Sequence, residues 1–351
     1  MGHASCKEAC VENGSEKTVR LSVVIPALNE SSSISAALAS VSSAAASPID
    51  VVVVDGGSTD DTVLLARRHG AKVIRTERGR GRQLNTGWRA TRGDWCLFLH
   101  SDSKLPPRYD ELIAASVHRA QLQQQQRLIE THDDGVESWA AHEAFPGGNG
   151  KQGLRPRSCG GGGAGDGWAA RTIRSAGRHD GCSSGDSLGA STRDGHVNSA
   201  RGDGESGAAA ASADACSTQL LPMWGAFATI QTDLQNSVLR TMLSMGVELR
   251  TRWLHRPYGD QALFIRRDVL EALGGFKEWP LLEDLEMVER LSKEQPPVIV
   301  NAPLFTSGRR WQSVGFMRTT LINQAILTGY MVGISPLTLA GWYRRAKELG
   351  G

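Results

Sequence analysis

Three short apolar runs constrain this chain more than any other feature, because each stops at a cluster of polar residues. Residues 21–25 (Leu-Ser-Val-Val-Ile) run into Pro26-Ala27-Leu28-Asn29-Glu30. Residues 49–54 run into Asp55-Gly56-Gly57-Ser58, and residues 95–99 into His100-Ser101-Asp102-Ser103. A shorter run, 72–74, stands between the second and third. Apolar stretches of this length suit parallel strands covered on both faces. Helical patterns alternate with them. One carries Ile34, Leu38 and Val41 behind a cap at Asn29 or Ser31; another carries Val63, Leu64 and Ala66 behind a cap at Ser58 or Thr59 and stops at Gly70. The alternation predicts an α/β fold with a Rossmann-like, mainly parallel central sheet and helices on both faces. Ligands of such sheets bind at the carboxyl ends of the strands, so the three polar clusters are expected on one rim.

The middle of the chain differs in composition. Residues 147–207 hold 18 of the 40 glycines, with Ser, Arg and Asp filling much of the rest. Too little apolar surface is available there to offset the entropy of ordering the backbone. Residues 128–217 are therefore expected to form a long disordered, Gly/Ser-rich insertion, and residues 1–19 a disordered tail. Cys159, His179, Cys182 and His196 lie in the insertion at spacings that fit no compact zinc finger. The remainder divides into 20–127, 218–312 and two C-terminal helices within 313–351. In the second half, strands are expected near 227–231, 262–265 and 297–300. Helices are expected over 234–250 and around Leu282, Leu285, Val288 and Leu291.

Charge and cysteine content narrow the function classes. With 39 Lys+Arg against 37 Asp+Glu the net charge is +2, which excludes a nucleic-acid binder held by bulk electrostatics. Six cysteines without a C-x-x-C pair argue for a reducing compartment, and a cytoplasmic location is expected. No run of 18 uninterrupted apolar residues demands a membrane span. Residues 336–349 end in Arg344, Arg345 and Lys347, a pattern open to peripheral contact with an anionic membrane.

The polar clusters hold the candidate chemistry. Asp55 with Gly56-Gly57 reads as a tight loop that lets a ligand approach the backbone at a helix start. Six arginines between Arg75 and Arg92, among them Arg80 and Arg82 beside Gln83 and Asn85, suit phosphate oxygens. Asp102 is a hard oxygen ligand for Mg²⁺ or Mn²⁺ if phosphate completes the shell. Glu283 and Asp284 open a helix, where one of them can serve as a general base.

In combination these residues resemble family 2 glycosyltransferases of the GT-A fold. Residues 23–30 are similar to a V-I-P-x-x-N-E motif, and residues 54–62 to V-D-x-x-S-x-D-x-T. Residues 99–102 occupy the D-x-D position, with His100 in place of the first acid. Glu283-Asp284 matches an E-D motif, and Arg309-Arg310-Trp311 resembles the R-W motif of processive relatives. The Arg80-x-Arg82-Gln83-x-Asn85 run, Tyr258-Gly259-Asp260-Gln261 and the 273–276 turn resemble the radical-SAM/selenodomain-associated transferase 2 group.

The resemblance implies an inverting transferase that moves a sugar from a nucleotide-diphosphate donor to an acceptor hydroxyl with Mn²⁺ or Mg²⁺. By that resemblance Pro26, Asn29 and Glu30 line the nucleotide pocket together with Gly57 and Ser101. Asp55 meets the base, and Arg82 and Asn85 lie near base and diphosphate. Asp102 holds the metal. Asp284 deprotonates the acceptor beside Glu283. Asp260, Gln261, Arg310 and Trp311 contact acceptor or diphosphate. The alternative is a non-catalytic nucleotide-sugar-binding protein of the same fold. A nucleotidyltransferase ranks last, because no glycine-rich loop follows the first strand.

Overall fold

The computed structural model describes residues 19–140 and 221–348. One compact unit comprises the described residues up to Gln123 and from Pro222 onward. Of the second unit, 124–221, the described part is essentially the end of one helix.

The unit is built on a mixed eight-stranded sheet. Strands β1 (Leu21–Ala27), β2 (Asp50–Asp55), β3 (Lys72–Arg75) and β4 (Trp95–Phe98) are followed by the short β5 (Ser103–Lys104), then β6 (Trp224–Thr232), β7 (Phe264–Arg266) and β8 (Val298–Thr306). The order across the sheet is β3-β2-β1-β4-β7-β6-β8-β5. The first four strands pair parallel, as their apolar runs predict, and β6 pairs parallel with β8. Strand β7 runs antiparallel to both β4 and β6, which makes the sheet mixed where the two halves of the sequence meet.

Burial alternates along β1. Val23 and Ile25 face one core with Ile34, Leu38 and Val41 of helix α1 (Ile34–Ala44) and with Tyr109 and Ile113 of α4 (Tyr109–Ala140). Val24 faces a second core with Leu84 and Trp88 of α3 (Arg80–Ala90). Period-two burial thus places helices on both faces, as expected. Helix α2 (Thr62–Arg68) follows β2, and Gly70, at φ +77°, ends it.

Two helices were not legible in the sequence. The Arg80–Asn85 run, read as a phosphate loop, is the first turn and a half of α3. Its glycines are packing positions: a Cβ on Gly81 would sit 2.2 Å from the Lys277 carbonyl, and one on Gly87 2.2 Å from Val24 Cγ1. Helix α4 continues through residue 128 to Ala140, so the expected boundary at 128 falls inside a helix. The rest of the expected insertion, with Cys159, His179, Cys182 and His196, and most of the expected N-terminal tail lie outside the described residues.

The second half adds α5 (Ser237–Leu254), capped by Asn236 Oδ1 accepting the Val238 and Leu239 N–H groups, a 3-10 turn (Gly259–Gln261), and α6 (Arg267–Ala272). Then follow α7 (Glu283–Glu294), α8 (Arg309–Val314), α9 (Phe316–Met331) and α10 (Pro336–Glu348). Among the described residues no helix is long and apolar enough to cross a membrane. Cys96 is a buried thiol whose pKa burial pushes up.

Candidate active site

Strands β2, β1 and β4 are neighbours in the sheet, and hydrogen bonds knit the loops after β1 and β2 together. The Asn29 N–H donates to Ser58 Oγ (2.9 Å), and Asn29 Oδ1 accepts the Thr59 N–H (2.9 Å). Asn29 holds a left-handed φ of 53°, a conformation Asn tolerates better than most residues. The Glu30 N–H donates to Thr62 Oγ1 and the Ser31 N–H to Asp60 Oδ2. Below them Gln83 Nε2 donates to the carbonyls of Ala27 (2.9 Å) and Val54 (2.8 Å), tying β1 to β2 at their ends.

In this arrangement several residues expected to contact ligand are engaged within the protein. The Asp55 side chain is fully buried; its carboxylate accepts the Gly57 and Ser58 N–H groups, and Arg75 Nε lies 3.5 Å away. It shapes the loop and is closed to a nucleotide base in this arrangement. Gly57, at φ +96°, has open space where a Cβ would be. Arg82 is ion-paired to Glu77 and to Glu278 (3.1 Å) rather than turned to a phosphate. Asn85 is buried: Nδ2 donates to the Phe276 carbonyl (2.8 Å), and Oδ1 accepts the N–H groups of Phe276 (2.9 Å) and Trp88 Nε1 (3.2 Å). Its amide pins the 275–276 turn. Gln261 is likewise fully buried. It donates to the Phe227 carbonyl and Thr251 Oγ1, and accepts from Arg250 and the Tyr258 N–H. Trp311 packs against the core, and the Arg310 side chain lies outside the described part of the structure. A buried amide leaves an unsatisfied group if its partners are taken away, so these side chains are structural ties. Ser101 is buried in the turn after β4.

Two groups of residues remain for chemistry. Pro26, Arg80, His100, Gly259 and Asp284 line one small pocket, its walls completed by Leu84, Phe98 and Phe276. Asp284, in the first turn of α7, accepts the Gly259 N–H on Oδ2 (2.8 Å) and the Leu285 N–H on Oδ1 (2.8 Å). A Cβ at Gly259 would stand 2.6 Å from Asp284 Oδ2, so only glycine allows this approach. Glu283 beside it is 4 % exposed, and burial pushes its pKa up to about 7, against the pull of the Arg80 guanidinium. Arg80 Nε lies 2.8 Å from Glu283 Oε1 without hydrogen-bond alignment, and its terminal amine contacts His100 Nε2. Asp260 stands on the adjoining 3-10 turn. Its Oδ1 is buried without a hydrogen-bond partner, and burial raises its pKa, as does the charge of Asp284, while Arg250 opposes them.

The second group gathers around Arg309. Its guanidinium lies 2.7 Å from Glu30 Oε2 and 3.6 Å from Asp102 Oδ2. Burial pushes the Asp102 pKa up and the neighbouring Glu30 charge adds to it, with Arg309 opposing both. Asp102 and Arg309 line a cleft of about 800 Å³ walled by α1, β6, α5 and β8. Asp102 and Asp284 therefore line neighbouring cavities rather than one, with His100, two residues from Asp102, in the pocket of Asp284. Two crowded carboxylates answered, among the described side chains, by Arg309 are a donor set that suits a hard divalent cation. Among the described residues no three His, Cys, Asp or Glu side chains cluster as a metal site, so ligand oxygens would complete the shell.

Sequence reasoning passed over Arg80, Gln83, Gly259 and Arg309 as individual site residues. Each stood inside a noted motif, but only the fold shows that Arg80 reaches Glu283 and that Arg309 reaches Asp102.

Comparison with known proteins finds the following similarities. Residues 22–170 match the family model described as Glycosyl transferase family 2. The chain is 38% identical over 92 residues to a glucosyl-3-phosphoglycerate synthase of Mycobacterium tuberculosis, covering 23% of this chain and 28% of that protein. The chain thus spans little more than a quarter of the length of the curated relatives it matches. Among solved structures, the M. tuberculosis glucosyl-3-phosphoglycerate synthase in complex with Mn²⁺, uridine diphosphate and glucosyl-3-phosphoglycerate aligns at 34% identity and a TM-score of 0.24, covering 26% of this chain and 36% of that chain. S. aureus TarS 1–349 aligns at 27% identity and a TM-score of 0.27, covering 29% and 33%.

Proposed function

We propose that this chain, whose residues 22–170 carry the glycosyl transferase family 2 pattern, moves a sugar from a nucleotide-diphosphate donor to an acceptor hydroxyl with inversion at the anomeric carbon. One observation carries the reading: Pro26 and His100 from the donor-side strands share a pocket with Asp284 of α7, with the Arg80 cation among them. A carboxylate and a cation lining one small pocket suit a displacement in which one group loses a proton while another leaves as an anion.

Asp284 takes the acceptor proton. Its two carboxylate oxygens are oriented by the Gly259 and Leu285 N–H groups, which fixes the base at a rigid helix start. Glu283 is engaged with Arg80 and serves as its partner rather than as the base. Arg80 offers positive charge to the leaving diphosphate. A single base without a protein nucleophile gives a one-step displacement and hence inversion.

Asp102 and Glu30 would hold Mn²⁺ or Mg²⁺, which supplies Lewis-acid charge to the departing diphosphate when bound. Arg309 keeps the two carboxylates together. The donor-side contacts remain Pro26, Glu30, Gly57 and Ser101. The subfamily resemblance to radical-SAM/selenodomain-associated transferases rests on the motifs alone. A cytoplasmic location belongs to the same reading, as does peripheral membrane contact through α10, which exposes Leu337 and Trp342.

The test is turnover. With UDP-, GDP- and other sugar nucleotides plus Mn²⁺ or Mg²⁺, nucleoside diphosphate release is expected from the wild type and its loss from Asp284→Asn. Equal release from both proteins excludes the assigned base. One observation favours the second reading, a non-catalytic nucleotide-sugar-binding protein: His100 stands at the metal motif and already contacts Arg80. Calorimetry showing tight, metal-independent sugar-nucleotide binding without turnover would establish it.

A further inference from the structure

Of the residues that line the cleft of about 800 Å³, Asp102 and Arg309 belong to the proposed metal site, and the rest of the wall carries two further cations. Lys104 comes from β5 and Arg240 from the first turn of α5. Arg240 gives one amine to the Leu234 carbonyl (3.4 Å), and Lys104 is exposed; among the described residues neither is paired with a carboxylate. The acids that line the cleft, Asp102 and Asp233, are engaged elsewhere. Asp102 lies 3.6 Å from Arg309, and Asp233 Oδ1 accepts the Gly308 N–H (2.6 Å). Two cations on the walls of one cleft, with no acid of the chain to answer them, suit an anion from outside it.

The remaining lining suits a small polyol. The volume falls within the roughly 300–1,000 Å³ of small-molecule sites. Thr241, Ser244, Thr306 and Ser307 line the cleft as well, and a hydroxyl both donates and accepts, which matches the hydroxyls of a ligand. Thr232, in the same wall, is 8 % exposed, and its Oγ1 has no hydrogen-bond partner. A buried hydroxyl left unpartnered costs free energy that a polar molecule bound in the cleft would recover.

Position decides the role of that molecule. In the transferase reading, on which this inference rests, Asp102 holds the metal of the donor diphosphate. The reacting carbon of the donor is bonded to that diphosphate, so the acceptor has to stand beside it. We infer that the Asp102 cleft is the acceptor site, and that Lys104 and Arg240 select an acceptor that carries an anionic group, a phosphate or a carboxylate, besides its hydroxyls. Asp284 lines the neighbouring cavity, so such an acceptor is held by its anion in the cleft while its reacting hydroxyl passes Asp102 to the base.

Calorimetry reads the site without donor, metal or turnover, so its failure is distinct from failure of the transferase reading. The full chain is titrated with glucose, glucuronate and glucose 6-phosphate, which share a ring and differ in charge; the last two separate a carboxylate from a phosphate. At least one of the anions is expected to bind at least tenfold more tightly than glucose, with a preference that shrinks as salt is added. Lys104→Ala/Arg240→Ala should remove that preference, while Arg68→Ala, at an exposed position of α2, should leave it within twofold. Melting of each variant verifies the fold. Anions that bind no better than glucose, or a double variant that keeps the wild-type preference, overturn the proposal. So does a double variant that loses affinity for uridine diphosphate and not for the charged sugars, which gives the two cations to the donor. Sugar transfer to neutral and anionic acceptors at equal rates would keep the transferase and still overturn the anionic site.

Discussion

Arg80 brings its Nε to within 2.8 Å of Glu283 Oε1, joining α3, on the donor side of the sheet, to α7 on the far side of the chain. The carboxylate it meets is almost wholly buried, and burial outweighs the arginine, so its pKa rises from 4.5 to about 7. A raised carboxyl pKa means that the folded state holds its proton longer than the unfolded state does. The contribution of this group to stability is therefore complete below pH 4.5 and is lost as pH climbs to about 7. Glu283→Gln removes that dependence. Urea unfolding across this range should show wild type losing on the order of 1–3 kcal/mol more than the variant. Parallel profiles would mean that Glu283 is ionised throughout.

Asp284→Asn keeps an acceptor for only one of the Gly259 and Leu285 N–H groups and removes the base. Turnover should fall by roughly 10²–10⁴-fold, with donor affinity and melting temperature nearly unchanged. Single-turnover release of nucleoside diphosphate, alongside calorimetric donor binding, separates the two effects. A parallel loss of donor affinity would assign Asp284 to binding instead.

Gly259→Ala tests the same base from the other side. The added methyl would lie 2.6 Å from Asp284 Oδ2, so either the carboxylate or the 3-10 turn has to shift. Displacement of a positioned group by about 1 Å costs on the order of 10²-fold in rate. The variant should lose turnover of that size while still melting cooperatively, and an unaltered rate would show that Asp284 needs no fixed placement.

Much of this arrangement was legible before the fold was known. The apolar runs gave β1, β2 and β4 because continuous Val, Ile and Leu have few other uses at that length. Their polar ends marked the rim because a parallel sheet leaves its carboxyl edge open. Helix α3 was hidden because its glycines are packing contacts with Lys277 and Val24, distances that no local propensity encodes. The roles of Asn85 and Gln261 were hidden for the same reason. A side-chain amide beside a ligand and one pinning a buried turn look alike in sequence, and only their tertiary partners tell them apart. Arg309 is the converse case: the motif was visible, but that Arg309 faces Asp102 depends on where α8 begins.

Asn85→Ala should therefore behave as a core substitution. It leaves the Phe276 carbonyl and N–H and the Trp88 indole N–H without their present partner. Each buried group so stranded costs about 1–3 kcal/mol before relaxation, so a net loss of about 2–4 kcal/mol in urea unfolding is expected. Donor affinity, measured where the variant is still folded, should change less than threefold. A large loss of donor affinity without destabilisation would return Asn85 to the diphosphate.

The Glu30–Arg309–Asp102 arrangement makes opposite predictions for its cation and its anions. Chelation with EDTA should abolish turnover and added Mn²⁺ should restore it. Asp102→Asn withdraws a carboxylate from the cation and should raise the metal concentration for half-maximal rate at least tenfold. Arg309→Ala withdraws a competing positive charge 2.7 Å from Glu30 and 3.6 Å from Asp102, so the same measurement should fall severalfold. The sign of the second change is the informative part, since damage to the fold would move both variants the same way. If Arg309→Ala also weakens metal dependence, Arg309 is there to bind the donor, and the carboxylates it holds are not waiting for a cation.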